Sequence, residues 1–166
     1  MFNKIFKVNG DKSFSNLIIS ILIAEGVGLL SGYLGRSNPN TYMQFNKPSF
    51  SPPSWVFPVV WTILFFLMAI AVYRIWIRGK QGEDITKPLI LYTVQLILNF
   101  FWTIIFFRFN LYGVAFIELL VLLVIVIITT FSFKKIDRLA AYLMIPYILW
   151  LGFAGILNYA IWMLNI

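Results

Sequence analysis

The stretch "SFSPPSWVFPVVWTILFFLMAIAVY", residues 49–73, decides how the rest of the chain is read. From Trp55 to Tyr73 it carries no charge, and about 20 consecutive apolar residues cross a bilayer as a helix. In front of that run stand the pair Pro52–Pro53 and the serines Ser49, Ser51 and Ser54. Adjacent prolines mark a turn or a stiff extended segment, so the helix has a built entrance. Ser51 is expected to cap it, with Pro52 and Pro53 in its first positions, although Pro58 leaves the exact start open. Trp61 then falls one to two turns inside.

Four other runs match this one. Leu17 to Gly35 is interrupted only by Glu25, Leu89 to Phe107 is uncharged, Phe109 to Phe133 carries Glu118, and Leu139 to Ile166 is uncharged. The first run is long for a signal peptide and contains an acid, so it reads as a retained helix. The expected helices are 17–35, 55–77, 89–107, 109–133 and 139–164, with an outer loop over 36–54. The chain is 61% hydrophobic and 11% charged, against about 25% charged in a soluble domain. The expected fold is all-α: residues 1–166 form one integral membrane bundle of five transmembrane helices, with the lipid bilayer as its first partner.

Charge sets the orientation. Lys4, Lys7, Lys12, Arg74, Arg78, Lys80, Lys87, Lys134, Lys135 and Arg138 share one end; Arg36, Lys47 and Arg108 lie at the other. The positive-inside rule puts the amino terminus in the cytoplasm, as in a bacterial plasma membrane. The net charge of +7 forms no basic stripe with interleaved rings, so no nucleic-acid partner is expected. Cysteine and histidine are absent, which removes thiol nucleophiles, imidazole bases and the common zinc ligands. No metal site is expected.

Polar and aromatic residues at membrane depth carry the functional question. Gln95, Asn99, Trp102 and Phe106 follow i, i+4, i+7, i+11 and share a face. Tyr147, Trp150, Ala154 and Asn158 do the same on the fifth helix, and Trp61, Phe65 and Met68 on the second. Unpaired amides are costly in hydrocarbon, so Gln95, Asn99 and Asn158 should face the bundle. Packing alone would explain such faces; a pocket for a flat apolar ligand would use the rings for stacking and the amides for orientation. Pro146 should kink the fifth helix and open space near Trp150. Trp55, Trp76 and Trp162 read as interfacial anchors. Ala24, Gly28 and Gly32 form a small-residue stripe that serves internal packing or a homodimer seam. Glu25 and Glu118 are isolated intramembrane acids, functional candidates by position and otherwise buried protonated carboxyls.

Four segments resemble one family. They are "NKPSFSPP" (46–53), "WTILFFLMAIAVY" (61–73), "QLILNFFWTIIFF" (95–107) and "AAYLMIPYILWLGFAGILNYAIWMLN" (140–165). From about Tyr42 to Asn165 the chain is similar to the TspO/translocator protein family, the tryptophan-rich sensory proteins. The resemblance implies five transmembrane helices, a homodimer and a pocket beneath the loop joining the first two helices. It implies binding of tetrapyrroles such as protoporphyrin and of other flat hydrophobic ligands, with the porphyrin as ligand and no required cofactor. The implied ligand set is Trp61, Phe65, Gln95, Asn99, Trp102, Tyr147, Trp150, Ala154, Leu157 and Asn158, under a lid containing Tyr42, Lys47, Pro48, Phe50, Pro52 and Pro53. Phe50, Phe65 and Ala69 depart from the residues usual there (tryptophan, tyrosine and glycine). The animal cholesterol motif carries a basic residue after "LNY"; "LNYAIWMLNI" has none, which argues against sterol recognition.

Two functions follow. The first is a receptor or sensor that binds porphyrin and regulates or moves it. The alternative is an enzyme degrading porphyrin with light and oxygen, with Trp61 and Trp150 as redox partners; no acid–base set supports ordinary catalysis. A transporter built from inverted repeats fits poorly, because five helices do not divide into equal halves.

Overall fold

The computed structural model describes residues 5–35 and 46–166. The helices are α1 (Phe14–Gly35), α2 (Val56–Lys80), α3 (Thr86–Thr103, continued by a π-helical turn Ile104–Arg108), α4 (Tyr112–Ile136) and α5 (Arg138–Leu164). All five are long and apolar enough to cross a membrane. Even α1, with 22 residues, reaches about 33 Å at ~1.5 Å per residue, against a hydrocarbon core of about 30 Å. The protein is an all-α integral membrane bundle.

Around the bundle, α1 packs on α2, α2 on α5, α5 on α4, α4 on α3, and α3 closes onto α1. Two layers of side chains fill the interior. One layer gathers Phe65, Met68, Tyr92, Leu96, Phe133 and Tyr147; the other gathers Trp102, Phe106, Leu119, Ala154 and Leu157 nearer the α5 carboxyl end. Each helix buries one face and leaves the rest to lipid, as a five-membered ring requires.

Helix ends depart from the apolar runs for local reasons. α2 and α4 continue to Lys80 and Ile136, with Arg78, Lys80, Lys134 and Lys135 in their last turns, where cations meet the helix dipole and their stems reach toward water. α3 starts at Thr86, whose N–H donates to the Asp84 carboxylate at 2.9 Å. That backbone hydrogen bond holds the Asp84 carboxyl below its ordinary value. α4 starts at Tyr112 and not at Phe109, because Asn110 turns left-handed (φ 54°). Ser51 does not cap α2. The helix begins at Val56 behind Trp55, and Ser51 instead closes a turn through its N–H to the Pro48 carbonyl at 3.0 Å. Pro58 is the third residue of α2, where its missing N–H has no intrahelical role. Pro146 faces outward from α5, which remains helical on both sides of it.

Arg74, counted among the charges that share one end, is buried inside α2. Its Nη2 lies 2.7 Å from Oδ2 of Asp137, and its Nε donates to Oδ1 at 3.0 Å. Asp137 also caps α5, its Oδ1 accepting from the Ala140 N–H at 2.8 Å. Burial pushes the Asp137 carboxyl up; the hydrogen bond from Arg74, that from Ala140 and the guanidinium charge outweigh it and hold the carboxyl below its usual value. The segment before α1 docks here as well. Asn9 and Gly10 both turn left-handed, the requirement of a tight hairpin, and pair Val8 with Asp11. The Ile5 carbonyl then accepts from Arg74 at 2.7 Å and the Phe6 carbonyl from the Tyr73 hydroxyl at 2.9 Å.

Candidate functional site

In the half of the bundle that holds the α2 amino terminus, a cavity of about 520 Å³ opens between α1, α2 and α3. A drug-sized ligand occupies pockets of about 300–1,000 Å³. Trp61 and Phe65 of α2 form one wall, their rings 5.7 Å apart and tilted by 34°. Asn99 and Trp102 of α3 form the second. Glu25, Gly28 and Gly32 of α1 form the third. The helical period explains each wall: 61 and 65, 99 and 102–103, and 25, 28–29 and 32–33 recur on single faces.

Hydrogen bonds fix the polar members. Asn99 Nδ2 donates to the Tyr147 hydroxyl at 2.8 Å, and the Tyr147 ring meets Trp61 edge-on at 6.0 Å. Tyr147 therefore braces both walls from behind. The Trp102 indole Nε1 donates to Asn158 Oδ1 at 3.3 Å, and Asn158 Nδ2 donates to the Tyr112 carbonyl at 2.8 Å. Phe106 stacks on Trp102 at 5.2 Å and 25°. The exposed face of Trp102 is thus held in one orientation before anything binds.

Four of the residues expected at a ligand site line this cavity: Trp61, Phe65, Asn99 and Trp102. Tyr147 and Asn158 stand one layer behind and orient them. Gln95 is fully buried, and among the described residues neither of its amide atoms has a hydrogen-bond partner. Ala154 and Leu157 pack in the outer core with Trp102 and Phe106, away from the cavity lining. Trp150 also stays out of the lining; it meets Phe57 edge-on at 6.0 Å and Phe153 at 5.4 Å, and its Nε1 is buried without a partner among the described residues. Lys47, Pro48, Phe50, Pro52 and Pro53 precede α2 and do not line the cavity; Tyr42 lies outside the described residues. At the far end of that segment Asn46 and Asn165 exchange hydrogen bonds, N–H to Oδ1 at 3.1 Å and Nδ2 to the Asn46 carbonyl at 2.9 Å.

The α1 wall was not expected. Of the stripe Ala24, Gly28 and Gly32, Ala24 is fully buried within the single chain, Gly28 is half-buried and Gly32 is exposed, and both glycines line the cavity. Gly28 lies against the Phe65 ring so closely that a Cβ there would collide with it, whereas a Cβ on Gly32 would meet nothing within 4 Å among the described residues. A membrane-depth acid three residues from one glycine and seven from the other, on one helical face, was the available signal. Phe57, Thr62, Thr103 and Phe107 also line the cavity and carry no mark in the sequence. The π-helical turn after Thr103 belongs to a class of irregularity frequent at functional sites.

The TspO/MBR family model matches residues 20–163. Over 153 residues the chain is 31% identical to the Tryptophan-rich protein TspO of Chlorobaculum tepidum, covering 89% of this chain and 97% of that protein. Over 122 residues it is 39% identical to the Translocator protein of Homo sapiens, covering 73% and 72%. Over 124 residues it is 35% identical to Protein CrtK of Rhodobacter capsulatus, covering 75% and 78%. With the matched region running through all five helices and every wall of the cavity, the chain belongs to the TspO/MBR family of membrane proteins.

Proposed function

We propose that this protein is a membrane receptor or sensor that binds a tetrapyrrole of the protoporphyrin type in the α1–α2–α3 cavity. The observation that carries the reading is the cavity of about 520 Å³ walled by the Trp61 and Trp102 indoles with Asn99 between them. Two large rings on facing helices suit a flat apolar macrocycle. At the outer rim Arg108 is exposed, with its Nη1 on the Leu34 carbonyl at 3.3 Å; it is placed to meet an acidic ring substituent. With the lysine-rich end in the cytoplasm, the cavity lies in the outer half of the membrane. The porphyrin is the ligand, and binding it needs no further cofactor.

The degradation reading asks Trp61 and Trp150 to act on one ligand together. Trp150 stands behind Phe57, so only Trp61 would touch a ligand in this cavity. Titration of the purified protein with protoporphyrin, read by tryptophan quenching, separates the readings. Losing a stacking partner costs about 0.5–1.5 kcal/mol beyond burial, so Trp61→Phe should weaken binding about tenfold or less, and Trp150→Phe should leave it nearly unchanged. Binding unaffected by Trp61→Phe would place the ligand elsewhere. Light-driven loss of porphyrin that vanishes in either variant would favour the enzyme.

A further inference from the structure

A second cavity, of about 440 Å³, lies on the opposite half of the bundle and shares no lining residue with the first. The two are separated where α1 crosses α3, at the hydrogen bond from Ser31 Oγ to the Phe100 carbonyl at 2.8 Å. Ile23 and Val27 of α1, Val72 and Trp76 of α2, and Leu96 and Phe100 of α3 supply most of its apolar wall. All three helices cross the membrane, so the opening faces hydrocarbon. An acyl chain meets here a slot of matching polarity.

The mouth of this slot is charged and incompletely satisfied. Val72, Trp76 and Lys80 follow at i, i+4, i+8 on one face of α2, so Lys80 stands directly beyond the α2 wall. Its Nζ donates to Asn16 Oδ1 at 3.2 Å. Asn16 lies one turn before Ser20, which lines the slot and donates to the Asn16 carbonyl at 2.8 Å. Asn16 is 5% exposed, and its Nδ2 has no hydrogen-bond partner among the described residues. Buried donors without partners are rare in folded proteins. The nearby acids are engaged: Glu83 with Arg78 at 2.6 Å and Asp11 with Gln81 at 2.8 Å. Among the described residues Lys80 has no carboxylate partner. The exposed Lys80 ammonium thus sits beyond the α2 wall of the slot, where a headgroup would lie.

We infer that this slot is a binding site for an anionic phospholipid, with its phosphate on Lys80 and an acyl chain between α1 and α3. The site is independent of the tetrapyrrole reading and lies at the other end of the bundle. Charge complementarity selects the anionic lipid over a zwitterionic one: a lysine at the surface favours an anionic headgroup by about fivefold, an effect that salt screens.

Trp76 lines the slot and serves as the reporter. The full chain is placed in phosphatidylcholine vesicles containing either dibrominated phosphatidylglycerol or dibrominated phosphatidylcholine, since bromine quenches indoles on contact. Subtracting the signal of Trp76→Phe isolates Trp76. Phosphatidylglycerol should quench it at a several-fold lower mole fraction than phosphatidylcholine, and Lys80→Gln should remove about fivefold of that preference. Lys87→Gln, exposed and outside the lining, should change it far less. Thr93→Phe and Ile23→Phe, both on the rim, should block quenching by either lipid while the helical circular dichroism stays intact. Equal quenching by the two lipids, or equal effects of Lys80→Gln and Lys87→Gln, overturns the site in favour of bulk surface attraction. Trp76 quenching that disappears as the protein-to-lipid ratio rises, with Thr93→Cys chains cross-linking in pairs, overturns it in favour of a second copy of the chain.

Discussion

Gly28 and Gly32 lie one turn apart on α1 and line the same cavity, yet a methyl group would have opposite consequences at the two positions. At Gly28 an added Cβ falls on the Phe65 ring; at Gly32 nothing among the described residues stands within 4 Å. Phe65 is buried against Trp61 and the inner core, so the open direction left to its ring is the cavity. Replacing glycine by alanine in a helix gains roughly 1 kcal/mol in propensity. That gain is common to Gly28→Ala and Gly32→Ala and cancels in their difference. What remains is the overpacking of Phe65, about 1–3 kcal/mol. At about 2–4 °C per kcal/mol for a chain of this size, Gly28→Ala should melt several degrees below Gly32→Ala in the same detergent. The displaced ring also narrows the cavity, so Gly28→Ala should weaken protoporphyrin quenching more than Gly32→Ala. Equal melting temperatures would refute the packing argument, and equal affinities would separate Phe65 from the ligand.

Two further outcomes follow from the charges. Arg74→Met leaves the Asp137 carboxylate buried without its partner and should cost about 3–5 kcal/mol, read by thermal unfolding against wild type. Because the folded-state pKa of Asp137 is lowered, its contribution is present above the unfolded value and is lost as pH falls through the lowered one. The acid loss of stability beginning near pH 4 should be shallower in Asp137→Asn. For orientation, single cysteines at Asn46 and Lys80 (the chain has none of its own) should be labelled from outside whole cells at position 46 only; labelling at 80 alone would invert the topology.

The fold was legible because length and apolarity dictate it once charge is this scarce. The faces of α3 were legible too: Gln95, Asn99, Trp102 and Phe106 are all buried, as their period required. The cavity walls on α2 and α3 follow from the same reasoning. The α1 wall does not, because glycines report close approach without saying to what, and Gly28 approaches Phe65 of its own chain. Ala154, Leu157 and Trp150 share a helical face with Tyr147 and Asn158, but a face buried in a ring of helices has two depths, and period alone does not separate cavity from core. Ser51 failed as a cap because its N–H closes a turn on the Pro48 carbonyl, and a second turn from Pro53 to Val56 sets the helix start later. Arg74 was hidden because its partner Asp137 lies 63 residues away, on the other side of two spans.

Both cavities share α1 as a wall. It is also the helix held least by the rest: 17% of its apolar window is buried, against 44% for α2. Loss of α1 from the bundle would therefore abolish both sites. Any occupant of either slot binds only the docked arrangement and adds to its stability by mass action. Amide hydrogen exchange along α1 then becomes a gauge of occupancy: saturation of one slot slows exchange in the wall of the other, although no residue touches both ligands.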